Sequence, residues 1–390
     1  MKAYKLFSFL LLGSLILGGC HQDDGNTDDQ VTVEPIREGD YGYSLPYVDS
    51  STSVIHSKYG SNKLDTYFMG QQGLELAKQY FDPNTTYASE GSILEASELE
   101  RFDSSLRGLG LLKYKTDYNP EGLNPEKGTY VESGTGINMY DAIIVSDIYE
   151  VDFVDENGDY VGFQFTIVMN ENITYSVAQT NEDGSVATDE NGDVILQSGT
   201  QTGQMSDDQL FNYGSLEAGQ RLVNYLRNNH PEVGNLPIHV LLYKTVSSDS
   251  MTSGSFIGQS YVTTRSSTSY ERLTQEWTFA PSTRLSELDS VLANQISTMK
   301  STLFENFPTE VGFYGRVFFI NNMAEEVEIE INMRGKTYVE IQSLIQYVVS
   351  LAPDINENSC ELNIHVKSDG DTVALIHRAK NSETITTSLV

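Results

Sequence analysis

Cysteine, basic residues and long apolar runs are all scarce in this chain, and each scarcity excludes something. Two cysteines among 390 residues cannot build a disulfide framework. Only 24 lysines and arginines stand against 55 aspartates and glutamates, a formal net charge of −31. A surface of that sign has nothing with which to release counterions from phosphates, so nucleic acid is excluded as a partner. The same balance removes polybasic support for membrane binding. Beyond Leu17 no apolar run reaches the roughly 20 residues of a membrane helix. There is no His-x-x-x-His, Cys-x-x-Cys or Gly-x-Ser-x-Gly, and no phosphate-binding glycine loop. The sequence therefore points to no metal, no cofactor and no catalytic residue.

What is present begins at the N-terminus. Lys2 and Lys5 precede an almost unbroken apolar run from Leu6 to Leu17, which ends in Leu17-Gly18-Gly19-Cys20. A basic start, a short apolar stretch and small residues at its end define a secretory leader. A cysteine directly after the cut reads as the acceptor of a lipid, by the logic of other lipidation signals. Residues 1–19 are thus expected to be removed, with Leu17, Gly18 and Gly19 recognised by the signal peptidase and Cys20 carrying the lipid. One acyl chain holds weakly, so stable retention implies several. The expected location is the outer face of the cytoplasmic membrane. Residues 20–45 include Asp23, Asp24, Asp28 and Asp29 and read as an acidic disordered tether. Cys360 opens the alternation Cys360, Leu362, Ile364, Val366 and reads as a buried, inert thiol.

A hydrophobic content of 39% supports a real core in the body of the chain, which reads as a diverged duplication. In the C-terminal copy, Val327, Ile329 and Ile331 alternate as on a strand. Thr337 and Glu340 form a capping box, followed by Ile341, Leu344, Ile345, Val348 and Leu351 at helical spacing. Pro353 ends that helix, and a strand carries Ile364-His365-Val366. The same order occurs earlier. Phe163, Phe165 and Ile167 mark a strand, Leu216, Gly219, Val223 and Leu226 a helix ending at Pro231, and Ile238-His239-Val240 the next strand. An amphipathic helix precedes each copy: Leu64, Phe68, Leu74 and Phe81 in the first, and Leu285, Leu288, Leu292, Ile296, Met299 and Leu303 before Pro308 in the second. The expected fold class is α+β, two diverged repeats with amphipathic helices packed on a mostly antiparallel sheet. Residues 46–250 form the first repeat with insertions, and residues 251–390 the linking strands and second repeat. The insertions are Tyr87–Gly136, with a short helix around Leu99–Leu106, and the hairpin Ile173–Asp207. Gly254–Thr264 and Tyr270–Phe279 read as exposed strands.

Asp155-Glu156-Asn157-Gly158-Asp159 recurs as Asp189-Glu190-Asn191-Gly192-Asp193. The spacing invites comparison with a calcium loop, but positions six and twelve hold Tyr160 and Thr166, then Val194 and Thr200, where an EF-hand needs Gly and Glu. Asn-Gly between alternating strands signals a hairpin turn instead. The six histidines lack metal-ligand spacing. His239 and His365 share a strand position, which the duplication explains. The 23 tyrosines and Trp277 suit a binding surface for peptides or sugars.

Several segments in order resemble the CamS family of sex-pheromone precursor lipoproteins from Gram-positive bacteria. They are Gly122-Leu123-Asn124-Pro125, Ser146-Asp147-Ile148-Tyr149-Glu150-Val151-Asp152-Phe153, Pro237–Lys244 ending in Leu242-Tyr243-Lys244, Gly254-Ser255-Phe256-Ile257, Phe307-Pro308 and Val327–Val349. The likeness spans about Leu64 to Lys380. Ser253, where the family pattern leads one to expect proline, departs from it. The resemblance implies a two-repeat α+β extracellular lipoprotein with no catalytic residues. In the namesake members a short apolar peptide from the leader is a mating pheromone; here the corresponding region is Leu10–Gly19. The leading expectation is a non-enzymatic lipid-anchored protein whose leader is a source of such a peptide. The alternatives are a surface module binding a peptide or cell-wall glycan through aromatic residues between the repeats, and a cell-envelope hydrolase acting through paired carboxylates.

Overall fold

The computed structural model describes residues 31–35, 39–45, 47–60, 63–101, 108–263, 269–307, 311–335, 337–355 and 359–390. The leader, Leu17, Gly18, Gly19 and Cys20, most of the acidic segment, residues 102–107 of the expected short helix, and Thr264 and Pro308 lie outside the described residues.

The N-terminal part supplies β1 (Val31–Val33), β2 (Gly42–Leu45), α1 (Ser53–Tyr59), α2 (Lys63–Ala77), β3 (Tyr87–Glu90) and α3 (Ala96–Leu99). Then come β4 (Tyr114–Lys115), β5 (Asn124–Glu126), β6 (Tyr130–Glu132) and the long pair β7 (Asn138–Val154) and β8 (Tyr160–Ser176). They are followed by β9 (Gln201–Gly203), α4 (Asp207–Tyr213), α5 (Gly219–Asn229), β10 (Ile238–Lys244), β11 (Ser255–Val262) and β12 (Glu271–Arg272). The C-terminal part contains β13 (Gln275–Ala280), α6 (Thr283–Leu288), α7 (Ser290–Asn306), β14 (Val311–Ile320), β15 (Met323–Met333), α8 (Tyr338–Leu351), β16 (Glu361–Ser368), β17 (Asp371–Arg378) and β18 (Ile385–Leu389).

Two large mixed sheets result. The first has ten strands in the order β1-β2-β3-β7-β8-β10-β11-β12, with β6 added to β7 and β9 to β8; the second runs β13 to β18 in sequence order. Neighbours are mostly antiparallel. Both sheets contain an antiparallel hairpin, a crossover helix, a parallel strand and a further antiparallel strand. This is β7-β8-α5-β10-β11 in the first and β14-β15-α8-β16-β17 in the second. The parallel pair forces the crossover, because parallel neighbours cannot be joined by a tight turn.

The alternating residues face where their periodicity demands. Phe163, Phe165, Ile167, Ile238, Val240 and Leu242 join one core with Leu222, Val223 and Leu226 of α5. Val327, Ile329, Ile331, Ile364 and Val366 join another with α6, α7 and α8, and Cys360 is buried there. The capping box at Thr337 and Glu340 forms, with reciprocal bonds of 3.2 and 3.0 Å. Three expectations need correction. Leu216 is 72% exposed, because a π-helical turn over Gly214–Ala218 joins α4 to α5. The extra residue of that wider turn rotates Leu216 off the apolar face. The run from Leu285 to Leu303 is two helices, since the Asp289 carboxylate accepts from Val291 and Leu292 N–H and starts α7 anew. Finally, β11 is largely buried between β10 and β12 rather than exposed.

The hairpin expected over Ile173–Asp207 is an exposed arm of three short bridged segments around residues 178–196. Both Asp-Glu-Asn-Gly-Asp runs are turns of one design. Asp155 Oδ1 accepts from Asn157 and Asp159 N–H at 2.8 and 3.0 Å, and Asp189 Oδ1 does the same with Asn191 and Asp193. The leading carboxylate is occupied in shaping the turn.

Candidate functional site

The first sheet is covered on its second face by α2. Phe68, Met69 and Leu76 pack down on Val168, Leu241 and Tyr243, and Ala77 continues the contact with Phe81 and Phe153. Close approach needs Gly73: a Cβ there would stand 3.1 Å from Gln164 Oε1, while Gln164 Nε2 donates to Gly73 O at 2.8 Å. Three polar assemblies are built on the first sheet, two of them under or beside this helix.

The segments that carry the family resemblance converge on the first. Tyr243 OH donates to Asp65 Oδ1 at 2.7 Å, and Gly254 N–H donates to the same oxygen at 2.6 Å. A side chain at residue 254 would strike Lys244 O, with Cβ only 2.0 Å away. Leu242-Tyr243-Lys244 and Gly254-Ser255-Phe256-Ile257 are therefore tied to α2 through one carboxylate. Burial raises the Asp65 pKa against those hydrogen bonds.

The second assembly has the outline of a hydrolytic triad. His56 Nδ1 lies 2.8 Å from Asp147 Oδ2, and its Nε2 lies 2.9 Å from Thr52 Oγ1. Tyr149 stacks on the imidazole with ring centroids 4.0 Å apart. A nucleophile must meet substrate, however. Thr52 is only 1% exposed, and the adjoining cavity beside Asp65, Asp147 and Tyr149 holds ≈ 20 Å³, room for about one water. The dyad pins α1 to β7; it offers no substrate a place.

The third is a carboxyl pair on the opposite face of β7. Glu150 accepts from the N–H groups of Ser92, Ile93 and Leu94 at 2.7 to 3.1 Å, while Asp152 accepts from Ser92 N and Oγ at 3.0 and 2.6 Å. Burial raises both carboxyls, Glu150 the further because Asp152 repels its charge. The pair holds the 92–94 loop against the sheet, and no cavity is lined by it among those described. Asn124 acts similarly: its Oδ1 accepts from Ile144 and Val145 N–H, and its Nδ2 donates to Leu112 and Val145 carbonyls. Gly122-Leu123-Asn124-Pro125 is thereby explained as a brace for an irregular stretch of β7.

The aromatic residues between the two sheets do not line a cleft. Phe68, Tyr243, Phe256, Trp277 and Phe318 pack on one another, with Phe68 edge-on to Phe318 at 5.1 Å. An open crevice of ≈ 530 Å³ lies instead on the outer side of α2, lined by Tyr41, Tyr43, Tyr67, Gly70, Gln71, Leu74 and the charged trio Asp40, Glu75 and Lys78. Its size falls within the about 300–1,000 Å³ of small-molecule sites. Lys78 Nζ bridges Asp40 and Glu75 at 2.9 and 2.6 Å. Tyr41 is buried and donates to Phe81 O at 2.6 Å; Tyr43 and Tyr67 are 52% and 73% exposed. Sequence reasoning missed this place: the tyrosines were visible, but not that β2 would stand beside α2.

The fold and its sites define a two-sheet mixed α/β protein whose buried polar groups serve the architecture. Residues 47–384 match the family described as CamS sex pheromone cAM373 precursor, and the chain belongs to that family. A sex pheromone precursor from Lactobacillus salivarius has a similar structure, with a TM-score of 0.73 over 92% of this chain and 98% of that one at 19% identity. The C-terminal domain of the sex pheromone staph-cAM373 precursor from Staphylococcus aureus is similar at a TM-score of 0.60, over 85% and 98% at 18% identity. At these identities the likeness concerns the fold. No curated protein sequence matches the chain. No described helix is long and apolar enough to cross a membrane.

Proposed function

We propose that the chain is a lipid-anchored surface protein whose leader is the source of a pheromone-like peptide and whose folded body is a non-enzymatic binding module. The observation that carries this is one conjunction: residues 47–384 belong to a pheromone-precursor family, and ahead of them stands the Leu17-Gly18-Gly19-Cys20 signal. Cleavage before Cys20 and acylation of its thiol place the body on the outer face of the cytoplasmic membrane, with residues 20–45 as an acidic spacer. The body arose by duplication, a reading supported by the shared hairpin–helix–hairpin order of the two sheets. Fractionation of cells expressing Cys20→Ala tests the anchor. The variant is expected in the soluble fraction or medium, and retention of mature, unlipidated protein on the membrane would overturn it. Synthetic Leu10–Gly19 peptides applied to recipient cells test the pheromone reading, which falls if no dose elicits a response.

The crevice beside α2 favours the binding reading over a hydrolytic one. It is open and aromatic-lined, whereas the His56–Asp147 and Glu150–Asp152 groups are enclosed. Thermal-shift screening of the lipoprotein tests it, since a ligand that binds only the folded state raises its apparent stability.

A further inference from the structure

Three features of the crevice narrow its ligand to one chemical class. The first is its aromatic wall. Tyr43 of β2 and Tyr67 of α2 both line the space and hold large flat rings in solvent. Such rings offer an apolar face for stacking and a hydroxyl for hydrogen bonding.

The second is charge. Lys78 is engaged by both Asp40 and Glu75, so the crevice presents no unopposed cation to an anionic ligand. The chain's overall charge of −31 repels anions further. Thr66, Gln71 and the carboxylates of Asp40 and Glu75 remain as hydrogen-bonding groups on the rim. A neutral, hydroxyl-rich ligand matches them.

The third is Gly70. Glycine inside a helix costs about 1 kcal/mol relative to alanine, so it calls for a reason. Gly73 has one in the tight contact with Gln164. A Cβ at Gly70 would meet nothing within 4 Å. No packing requires glycine there, and a side chain at this lining position would enter open space. An extended peptide is disfavoured at the other wall, because Tyr43 of β2 is already paired with Val33 of β1 and Ala88 of β3 and offers a further strand no free ladder position.

We propose that the crevice between α2 and β2 binds an uncharged oligosaccharide, with Tyr43 and Tyr67 stacking on sugar rings and the rim groups bonding their hydroxyls. The inference rests on the binding-module reading and gives it a ligand class. The test is calorimetric titration of the full chain, purified in a sugar-free detergent, with cellotetraose, maltotetraose and tetra-N-acetylchitotetraose. At least one is expected to bind. Tyr67→Ala and Gly70→Leu should each weaken it at least about tenfold, and Tyr67→Phe should retain it. Gly70→Leu is the decisive variant, since it replaces a poor helix former by a good one and fills open space, so loss of binding cannot be ascribed to unfolding. Binding that survives Gly70→Leu, or absence of binding by all three sugars, overturns the proposal. A pool of tetrapeptides titrated in parallel separates the two levels. Peptide binding without sugar binding sinks the carbohydrate assignment and leaves the binding module standing; silence from both sinks both.

Discussion

The run Ile-His-Val occurs on the strand after the crossover helix in each sheet, and its two histidines live in different worlds. His239 is fully buried; Gln164 Nε2 donates to its Nδ1 and its Nε2 donates to Gln259 Oε1, both at 3.1 Å. His365 lines an open concavity with Tyr314, Arg316, Glu328, Glu330 and Lys367. The strands are alike, so the difference comes from what lies above them. Among the described residues, α2 roofs the first sheet, and it meets the second at the end around Trp277 and Phe318. Around His239 the polar side chains beneath the roof are the amides of Gln164 and Gln259, each with a fixed partner. On the open face they are charged and cross-paired, as with Arg316 and Glu328 or Lys367 and Glu330. One topology thus carries two chemistries, according to whether water reaches the outer face.

The strongest way to break this contrast is to lift the roof. Phe68 is 6% exposed and is the ring through which α2 touches both Trp277 and Phe318 of the second sheet. Phe68→Ala is expected to cost about 3 kcal/mol or more. It should also weaken the coupling of the two sheets, so that calorimetric unfolding broadens or splits relative to the parent chain. An unchanged transition would mean that α2 does not join them.

Proton linkage sharpens the comparison next. Burial pulls His239 down from 6.5 to about 4. The unfolded chain then takes up a proton that the folded chain refuses, so stability is full above pH 6.5 and falls as pH drops toward 4. That gap corresponds to on the order of 3 kcal/mol. On the second sheet burial raises Glu326 from 4.5 to about 7, with help from the negative charge of Glu328. Here the folded chain holds the proton, so stability is full below pH 4.5 and is lost as pH rises through 7. Urea unfolding between pH 4 and 8 should show His239→Gln removing the acid-side loss and Glu326→Gln removing the opposing one. An acid-side loss that persists in His239→Gln would erase the distinction between the faces.

Much of this architecture was legible in sequence because periodicity reports burial directly. The alternations at Phe163–Ile167 and Val327–Ile331, and the spacing from Leu344 to Leu351, each name a face that one packed layer covers. Leu216 misled because a π turn shifts helical phase without changing composition. The role of α2 was hidden by its mixed pattern. Asp65 points inward to Tyr243 and Gly254, while Tyr67 and Leu74 line the outer crevice, so no clean stripe reveals two functional faces. The crevice itself joins Asp40–Tyr43 to residues 66–78, which only the placement of β2 brings together. Glu150 and Asp152 stood within a recognisable segment, but the three backbone donors that explain Glu150 leave no mark in side-chain identity.

The smallest expected effect tests the open face itself. Lys367 Nζ lies 2.6 Å from Glu330 Oε2, and the two side chains are 26% and 38% exposed. Water screens a pair this accessible and already solvates both partners, so Lys367→Ala should cost no more than about 0.5–1 kcal/mol. The loss should shrink further in high salt, where charges that water reaches are screened. The same substitution beneath a roof would strand the carboxylate without solvent and cost about 3–5 kcal/mol. A salt-insensitive loss in that higher range, measured by urea unfolding, would mean that something covers the second sheet in solution as α2 covers the first. The difference between the two histidines would then belong to the isolated chain alone.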